Sequence, residues 1–507
     1  MNLLTDRWIP VRPVAGCGVE QISLETLLCE PHQRALSLPR DDMEMAACQL
    51  LVCIVQLLWP PTNMEQSIQR IQTPLTEEEF LAGLIGWEES FILNHPEHPF
   101  MQVKGVIAKE TTGMDKLMVG LTGSTSCAFV NQPGQGEALC GGCAAIALFN
   151  QACNAPGFGG GFKSGLRGVA PITTLIQQRC LRSTLWANVL NAESLERDYP
   201  EWQKQHCQGF TWQKPIVSNE KIPSHSIGLA RGLFWQPAHI ELSPPSAAGQ
   251  CSACGCQADK RYLSFLKAKF NYTVEGFWLH PHSPCVEQTK KRIPEKRHIG
   301  FTLPIPCWTQ VGRLLISQQL EKNQEGRRAA LVIEQARQLA NGKPLYMSIG
   351  GYRNNQAAIV ERRHEVMVFS QGWDRHQDII NEIIHTGQGY RLALRKALYL
   401  FVEGMKDNDI IGSRIPVHEV AERRFYRESD IYITRLLATI NYEQPLKELE
   451  SLHLYLSALC QSLFEAATDP YDHHVKLIQT LAISRRVLIA QLSALKMQGE
   501  QADEPTP

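Results

Sequence analysis

Neither sign of charge dominates this sequence of 507 residues, which carries 50 lysines and arginines against 51 aspartates and glutamates. Domains that coat nucleic acid through bulk charge are usually strongly basic. The balance therefore excludes that class of protein. Any contact with nucleic acid must come from local basic patches or from partner subunits.

Long hydrophobic runs are also missing. The most apolar stretch, residues 46–59, contains two glutamines and stops at Pro60. It is shorter than the ~20 residues that a membrane span needs, so we interpret it as a buried helix. The first residues show no charged segment followed by an apolar one, as a secretory signal would. We therefore expect a cytoplasmic protein that does not bind a membrane.

Common catalytic signatures are absent, since the sequence contains no GxSxG, no HExxH and no carboxylate pair of clear spacing. The one exception is Asp472 with His473 and His474, a combination that can indicate a metal phosphoesterase. The alternative is that Asp472 lies in the first turn of a helix, where its charge suits the helix dipole. We expect a protein that is not an enzyme and keep the phosphoesterase as the alternative.

Cysteine is plentiful, and its spacing predicts a metal site. Sixteen cysteines in a large chain without a secretory signal indicate reduced thiols and not a disulfide framework. Cys140 with Cys143, and Cys251 with Cys254, form two CxxC pairs that can supply four thiolates to one tetrahedral zinc. Because 107 residues separate the pairs, such a zinc would join two distant loops and would be structural.

Three alternatives to this zinc site remain open. One CxxC pair could be a redox centre, although neither lies in an evident thioredoxin-like context. Another ligand set could hold the metal, because Cys256, His280, His282 and Cys285 are nearby candidates. The cysteines could also bind no metal.

The composition and the secondary-structure pattern of the chain change near residue 376, which predicts an α+β protein of two parts. Residues 1–375 mix short strand and helix patterns with many glycines and prolines, and we expect one large mixed body with long loops. Residues 376–500 favour a C-terminal four-helix bundle, and residues 501–507 a disordered tail. The four helical patterns lie near residues 378–404, 416–440, 445–467 and 473–498.

A glycine-rich segment, APGFGGGFKSGLRG at residues 155–168, raises the question of a phosphate-binding loop. Phe162 precedes the Lys-Ser pair where a P-loop requires glycine, and it also occupies the third glycine position of a dinucleotide fingerprint. What remains is a slim stretch, Gly157 to Gly161, flanked by Lys163 and Arg167. Such a stretch can approach a phosphate or a narrow groove closely. A tight turn under a helix is the alternative.

Two further segments could contact nucleic acid. Residues 258–298 hold nine lysines and arginines against four acidic residues, with aromatic residues interleaved. Lysines there could reach phosphates or a minor groove, although a solvated face explains the same pattern. GGYRNNQA at residues 350–357 offers three side-chain amides that suit base edges, and they suit an ordinary turn equally well.

Taken together, these segments resemble the CasA family, the large subunits of the type I-E CRISPR surveillance complex Cascade. The resemblance extends over essentially the whole chain. It includes NLLTDRWIPV, LSLPRDDMEMAA, NHPEHPFMQ, CAFVNQPGQGEALCGGC, the glycine-rich segment, RGLFWQPAHIEL, GGYRNNQAAIVERRHEV and the helical C-terminus.

The resemblance implies a non-catalytic subunit of an RNA-guided antiviral complex. Such a subunit recognises the protospacer-adjacent motif (PAM) in duplex DNA from the minor groove and wedges the strands apart to start an R-loop. It also supports recruitment of a separate helicase–nuclease. The implied partners are the other Cascade subunits with CRISPR RNA, and double-stranded target DNA that carries a PAM.

The resemblance also implies roles for individual residues. Lys269 would be a lysine finger, with Lys267 as a neighbour that could be mistaken for it, and Gln356 would be a wedge beside Asn355. The implied DNA-binding set is Gly157, Gly159, Gly160, Gly161, Lys269, Asn355 and Gln356. A loop with Phe129, Val130 and Asn131 would meet the PAM-proximal end and the guide RNA handle. The implied ligands of a structural zinc are Cys140, Cys143, Cys251 and Cys254.

Overall fold

A computed structural model of the chain describes residues 1–121, 134–200, 202–203, 208–290, 293–321, 325–410 and 415–502. The chain forms two compact units. The first comprises Met1–Leu303, Ser317–Leu339 and Tyr346–Val366, and the second comprises Pro304–Ile316, Ala340–Leu345 and Met367–Pro507. The second unit thus includes two short segments that composition alone does not reveal. The predicted boundary at residues 375 and 376 stays a prediction.

The strands within these residues are short, apart from the last two. They are β1 Ile9–Pro13, β2 Glu20–Ile22, β3 Arg34–Leu36, β4 Thr112–Gly113, β5 Leu139–Cys140, β6 Thr173–Ile176, β7 Glu220–Pro223, β8 His239–Leu242, β9 Gly249–Gln250, β10 Gln257–Ala258, β11 Arg261–Tyr262, β12 Ser264–Ala268, β13 Tyr272–Glu275, β14 Cys285–Lys290, β15 Ile293–His298, β16 Gly326–Arg328, β17 Leu345–Asn355 and β18 Ala358–Phe369.

The helices lengthen towards the C-terminus. They are α1 Leu24–Cys29, α2 Asp41–Leu58, α3 Met64–Gln72, α4 Glu77–Leu84, α5 Gly141–Cys153, α6 Leu181–Ala187, α7 Ala192–Asp198, α8 Leu229–Leu233, α9 Val311–Leu315, α10 Leu331–Leu339, α11 Gln377–Asp407, α12 Val417–Thr439, α13 Leu446–Thr468 and α14 Ile478–Ala502. Single 3-10 turns lie at Met114–Leu117, Ser224–Ser226, Cys307–Gln310, Asp469–Tyr471 and Val475–Leu477.

The sheets of the described residues contain only two or three strands each. The one built from long strands has the order β18-β17-β6, with Met347 of β17 opposite Ile176 of β6 in an antiparallel register. β4 and β8 flank β12 antiparallel in another sheet, while β5 pairs with β11. Many small sheets joined by loops leave the first unit rich in loop positions from which side chains can reach a ligand.

Two buried helices, α2 and α5, pack against each other in the core of the first unit. Every residue of α2 from Met45 to Leu58 is buried, which confirms the interpretation of the apolar run. α5 is buried from Gly142 to Cys153. Its close approach to the N-terminal segment requires glycine, because a Cβ on Gly142 would lie 2.5 Å from the carbonyl oxygen of Trp8. The N-terminal end of α5 therefore packs closely against the N-terminal segment.

The second unit contains the four long helices. α11 packs along α12, α13 and α14, and α13 also contacts α12 and α14. The mixed α+β fold with a helical C-terminal region is thus confirmed. α14 extends to Ala502, and residues 503–507 of the predicted tail lie outside the described residues. Of the described helices, none is both long enough and apolar enough to cross a membrane.

Candidate functional site

The four predicted cysteines come together in the first unit. Cys140, Cys143, Cys251 and Cys254 are buried, and their sulfur atoms all lie within 4.8 Å of one another. The Cys140 and Cys254 sulfurs are 3.9 Å apart. Four sulfurs around a zinc at ~2.3 Å are separated by about 3.8 Å. The four sulfurs are therefore close enough for a tetrahedral thiolate site, and small side-chain shifts would bring the wider pairs to that spacing.

Local structure explains how distant pairs meet. Cys140 ends β5 and caps the N-terminus of α5, where its sulfur accepts a hydrogen bond from the amide of Cys143 at 3.5 Å. Cys251 and Cys254 lie in the loop between the paired strands β9 and β10. Ser252 joins the two segments, because its amide donates to the carbonyl of Ala138 at 2.8 Å and its hydroxyl accepts from the Ala138 amide at 3.0 Å.

The surroundings favour a thiolate at Cys251, whereas hydrogen bonds within the cluster raise the pKa of Cys143 and Cys254. The amide of Cys140 donates to the Cys251 sulfur at 3.2 Å. Hydrogen bonds from the Cys140, Cys143 and Cys254 thiols lower the pKa of Cys251. Four buried sulfurs at this spacing would repel one another as thiolates, and a divalent cation would remove that repulsion. The donor set therefore fits a closed structural metal site.

The other candidate ligands are not part of this cluster. Within the described residues, the only group of histidines, cysteines and acidic residues close enough to hold a metal is the four-cysteine set. Cys256 is half-buried beside it, and burial raises the pKa of its thiol. His280 and His282 contact each other elsewhere in the unit, at 5.2 Å between ring centres. The redox alternative is also weakened, because the two pairs form one cluster.

The glycine loop directly follows the C-terminus of α5. The amide of Phe162 donates to the carbonyl of Gly159 at 3.1 Å, which closes the loop as a turn. Gly160 has a φ of +56° and nothing within 4 Å of an added Cβ, and it is exposed. Gly157 differs, because a Cβ there would lie 2.6 Å from the carbonyl oxygen of Lys163. The turn requires Gly157, whereas open space surrounds Gly160.

Lys269 meets the glycine loop. It is the residue after β12 and is exposed, and its Nζ donates to the carbonyl oxygen of Gly160 at 2.9 Å. The same ammonium lies 3.3 Å from the position of an added Cβ on Gly161. Lys269 therefore places a positive charge at the tip of the loop.

The β17–β18 hairpin brings Gln356 to the same place. Gln356 and Ala357 form the two-residue turn of this hairpin, and Gln356 has a φ of +55°. A Cβ added to Gly159 would lie 3.3 Å from the Cβ of Ala357, so the turn packs against the loop. Asn355 and Gln356 are exposed. Their amide groups are therefore presented to solvent beside the loop.

These three segments form one exposed surface, which we call the loop–hairpin patch: Gly159–Gly161, Lys269 and Asn355–Ala357. It combines a strip without side chains, one ammonium group and two side-chain amides. Such a surface can enter a narrow groove, attract phosphates and hydrogen-bond base edges. Its residues are separated by up to about 200 positions in sequence and meet only in the fold.

Known proteins share this architecture. The family model for the CRISPR-associated protein Cse1 matches residues 2–465. The chain belongs to the Cse1 family. The structure of Thermobifida fusca Cse1 has a TM-score of 0.74 at 16% identity, with 99% of this chain and 98% of that chain covered. The structure of Thermus thermophilus CasA (Cse1) has a TM-score of 0.69 at 16% identity, covering 97% and 99%.

A chain of a CRISPR RNA-guided surveillance complex is also similar to this Cse1-family protein. Its TM-score is 0.66 at 14% identity, with 96% of this chain and 99% of that chain covered. At this identity the three likenesses show a shared fold. The family itself rests on the match over residues 2–465, and it confirms the resemblance noted in the sequence.

Lys267, which lies two residues before Lys269 in this Cse1-family chain, has a different environment. Its ammonium lies 5.7 Å from the ring centres of both Phe158 and Phe265 and donates to the hydroxyl of Thr112. Burial lowers its pKa. Lys267 thus packs against Phe158 of the glycine loop, whereas Lys269 contacts the loop–hairpin patch.

Sequence reasoning missed the aromatic support of the loop. The rings of Phe158 and Phe162 meet edge to face at 5.3 Å, and Phe158 also contacts Phe265. The available signal was the two phenylalanines that flank the run of three glycines. Sequence reasoning also missed Ala357, whose small side chain permits the contact with Gly159.

Several residues that the sequence analysis singled out lie in the core or outside the described residues. Arg167, considered as a flanking cation of the loop, is buried and donates to the carbonyl of Cys153 and the hydroxyl of Ser283, so it is structural. The aromatic residues of the basic segment are largely core residues. Those that are buried are Tyr262, Phe265, Phe270, Tyr272 and Trp278. Phe129, Val130 and Asn131 lie outside the described residues.

The phosphoesterase alternative gains no support from the described residues. Asp472 follows a 3-10 turn, and α14 begins only at Ile478, so Asp472 is not in its first turn as expected. His473 and His474 contact each other at 4.2 Å between ring centres. The only candidate metal-binding group among these residues is the cysteine cluster, which lies elsewhere in the sequence.

Proposed function

We propose that this protein is the non-catalytic large subunit of an RNA-guided type I-E CRISPR complex in the cytoplasm. In this role it recognises the PAM of duplex DNA from the minor groove and opens the first base pairs. The observation that carries the proposal is the convergence of the glycine loop, Lys269 and the hairpin turn in one exposed patch. Membership of the Cse1 family, and the similar fold of a chain in a surveillance complex, support the assembly.

The glycine loop would read the groove by shape. The minor groove is ~6 Å wide, and its hydrogen-bond pattern mainly separates A·T from G·C pairs. Gly160 offers no Cβ on its open side, so the backbone can approach the groove floor. An exocyclic guanine amine would crowd this approach, which gives discrimination that tolerates several related motifs.

Lys269 would add electrostatic attraction at the same point. Its ammonium uses one donor on the carbonyl of Gly160, and a lysine ammonium has three donors. The remaining donors can contact phosphate or groove oxygens. Because the whole chain carries a net charge of −1, this local charge matters more than the total charge.

Gln356 would act as the wedge. It occupies the tip of a hairpin whose strands have 11 and 12 residues, so the turn projects from a regular support. Unstacking a base step costs on the order of a few kcal/mol. Pairing between guide RNA and target then offsets the lost DNA pairing. The Gln356 amide can hydrogen-bond a base exposed by this step, with Asn355 beside it.

A structural zinc at the four cysteines would align the reading elements. From the cluster, α5 leads to the glycine loop, and β11 with β12 leads to Lys269. Because the metal would join the start of α5 to the loop that precedes β11, it would fix the position of the glycine loop relative to Lys269. When bound, the metal supplies folding free energy and no reactive water, because four thiolates fill its shell.

The remaining roles follow from assembly. The loop with Phe129, Val130 and Asn131 would contact the guide RNA handle, and the C-terminal helices would meet neighbouring subunits and the displaced strand. Closure of the complex on its target would support recruitment of a separate helicase–nuclease. In this scheme DNA cleavage belongs to that partner.

The proposal is tested by Gln356→Ala in the assembled complex. Initial binding of a PAM duplex should remain within about twofold, because the groove contacts of the loop and lysine are intact. Opening of the first base pair should slow by about tenfold, the effect of one lost contact of ~1.4 kcal/mol. 2-Aminopurine fluorescence beside the PAM reports this step.

A duplex that is already mismatched at the first base pair is the matched control. It needs no wedge, so Gln356→Ala should leave its R-loop formation unchanged. Normal opening of the fully paired duplex by the variant would reject the wedge role and, with it, the proposed reading of the patch.

A further inference from the structure

A buried chain of hydrogen bonds runs beneath the loop–hairpin patch. The Tyr352 hydroxyl donates to Asp42 Oδ2 at 2.7 Å and accepts from Asn150 Nδ2 at 2.7 Å. Asn150 Oδ1 accepts from Asn154 Nδ2 at 3.1 Å, and Arg167 donates to Asn154 Oδ1. The side chains of all five are buried, with that of Asp42 only 6% exposed.

Each residue of this chain donates a hydrogen bond to the next, from Arg167 at one end to Asp42 at the other. A guanidinium stands at one end, at Arg167, and a carboxylate at the other, at Asp42, with two amides and a phenol between them. Burial raises the pKa of Tyr352 well above its ordinary value, so the phenol keeps the proton that it donates. Hydrogen bonds aligned between opposite charges polarise one another, and in a buried site each lost link leaves an unsatisfied group.

The chain is attached to both halves of the patch. Asn154 precedes Gly157 by three residues and Arg167 follows Gly161 by six, so the two residues hold both roots of the glycine loop. Tyr352 lies on β17, four residues before Gln356. The hydrogen bonds between Tyr352, Asn150 and Asn154 therefore connect the wedge strand to the loop roots directly.

Apolar packing and an ion pair reinforce the connection. The Tyr352 ring belongs to a buried cluster with Val119, Ala155, Ala170 and Ile359. Arg362, on the other strand of the hairpin, pairs with Asp41. The start of α2 thus contacts both strands of the hairpin, since Asp42 accepts from Tyr352 of β17 and Asp41 pairs with Arg362 of β18.

We propose that Tyr352 and the Asp41–Asp42 pair are positioning residues, which hold the hairpin turn in register with the glycine loop. Groove engagement by the loop then places Gln356 against the first base pair. This inference rests on the proposed function. It assigns a role to Asp41 and Asp42 at the start of α2, which are not part of the loop–hairpin patch.

Tyr352→Phe tests the network, because it removes the hydroxyl and keeps the ring in its apolar cluster. In the assembled complex, affinity for a PAM duplex should change by less than about threefold. Opening of the first base pair should slow by about tenfold, since the link to Asp42 is a hydrogen bond to a charged group. Both are measured as for Gln356→Ala.

Tyr390→Phe is the matched control for simple loss of stability. Tyr390 is fully buried in the helical unit, and its hydroxyl contacts His453 Nδ1 at 3.1 Å. This variant should lose a comparable amount of thermal stability and still open the duplex normally. Equal slowing by Tyr352→Phe and Tyr390→Phe would show a general structural effect and overturn the proposal.

A second variant keeps the test decisive if Tyr352→Phe does not fold. Asp41→Asn removes one charge from a pair that is more than a third exposed, so folding should persist. It should slow opening in the same direction by about threefold, in line with the small contribution of a partly exposed ion pair. Normal opening in this variant, when the tyrosine variant is unfolded, would overturn the proposal.

Combination with the wedge variant separates this inference from the proposed function. Tyr352→Phe with Gln356→Ala should open no more slowly than Gln356→Ala alone, because the tyrosine acts through the glutamine. If Gln356→Ala slows opening and Tyr352→Phe does not, only the network fails. If Gln356→Ala also opens the duplex normally, the proposed function fails as well.

Discussion

The two ends of helix α5 make the most informative comparison in the molecule. At its N-terminus, Cys140 and Cys143 turn their sulfurs inwards to a cluster that is buried and closed. At its C-terminus the chain enters the glycine loop, where Gly160 is exposed and has open space on its Cβ side. Both ends are rich in glycine. The N-terminal end, however, belongs to a buried cysteine cluster, whereas the C-terminal end exposes its backbone to solvent.

Under the proposed function, one helix would serve two purposes. A site for a small ion can be completed by the chain itself, because four ligands fill the coordination shell. A surface that reads a macromolecule must leave groups unsatisfied until the partner arrives. We therefore expect substitutions at the first end to act on stability and metal content, and substitutions at the second to act on DNA binding.

The largest effect should come from Cys251→Ala. Wild-type protein should contain about one zinc per chain, and the variant should contain almost none. The free energy of a structural zinc is ~10 kcal/mol or more, which is comparable with the whole stability of a domain. Metal analysis by mass spectrometry and thermal unfolding of the purified chain measure both effects.

Cys256→Ala is the control, because this thiol lies beside the cluster and is not part of it. It should retain the zinc and the unfolding midpoint. Full metal content in Cys251→Ala, or loss of metal in Cys256→Ala, would contradict the assigned ligand set.

Gly160→Ala should have an intermediate effect that is confined to binding. The added Cβ meets nothing in the free protein, so the folded structure accepts it at about 1 kcal/mol of left-handed backbone strain. It would occupy the space in which the groove floor is expected. We predict about tenfold weaker binding of a PAM duplex by the assembled complex, measured by filter binding or surface plasmon resonance.

Gly86→Ala controls for the backbone strain, because Gly86 also has a positive φ, of +85°, and open space at its Cβ position. It should cost similar stability and leave DNA affinity unchanged. Equal affinities of wild type and Gly160→Ala would mean that the loop does not approach DNA closely.

Lys269→Ala should have the smallest effect, and it should depend on salt. Loss of one phosphate contact reduces the slope of log affinity against log salt by about one and weakens binding a few-fold at low salt. The matched control is Lys267→Ala, which removes an ammonium packed on Phe158 and Phe265. That variant should lower stability and preserve the salt slope, and the reverse pattern would exchange the roles of the two lysines.

Patterns that act over short distances were predictable from the sequence. The long helices of the C-terminal region were expected within a few residues of their ends, except the last, which begins at Ile478 and not near residue 473. The apolar run at 46–59 was correctly interpreted as a buried helix. The CxxC pairs indicated which four cysteines would meet. In each case a local periodicity or spacing carries the information.

Contacts between distant segments were not predictable in the same way. Lys163 and Arg167 looked like equivalent cations beside the glycine run, but one is exposed and the other buried. Burial lowers the pKa of Arg167 to about 10, and four hydrogen-bond partners compensate for the lost hydration. No sequence pattern distinguishes these two environments, because the neighbours come from other parts of the chain.

By itself, the sequence determined the family of this protein, the helical character of its C-terminal region, the cysteine set and the slimness of the glycine loop. These depend on residue types and short spacings. The tertiary structure alone decided that Lys269, and not Lys267, meets Gly160, that Ala357 packs on Gly159, and that Asp42 is linked to Arg167 through Tyr352. Such contacts depend on how α5, β12 and the β17–β18 hairpin pack, and packing is a property of the whole folded unit.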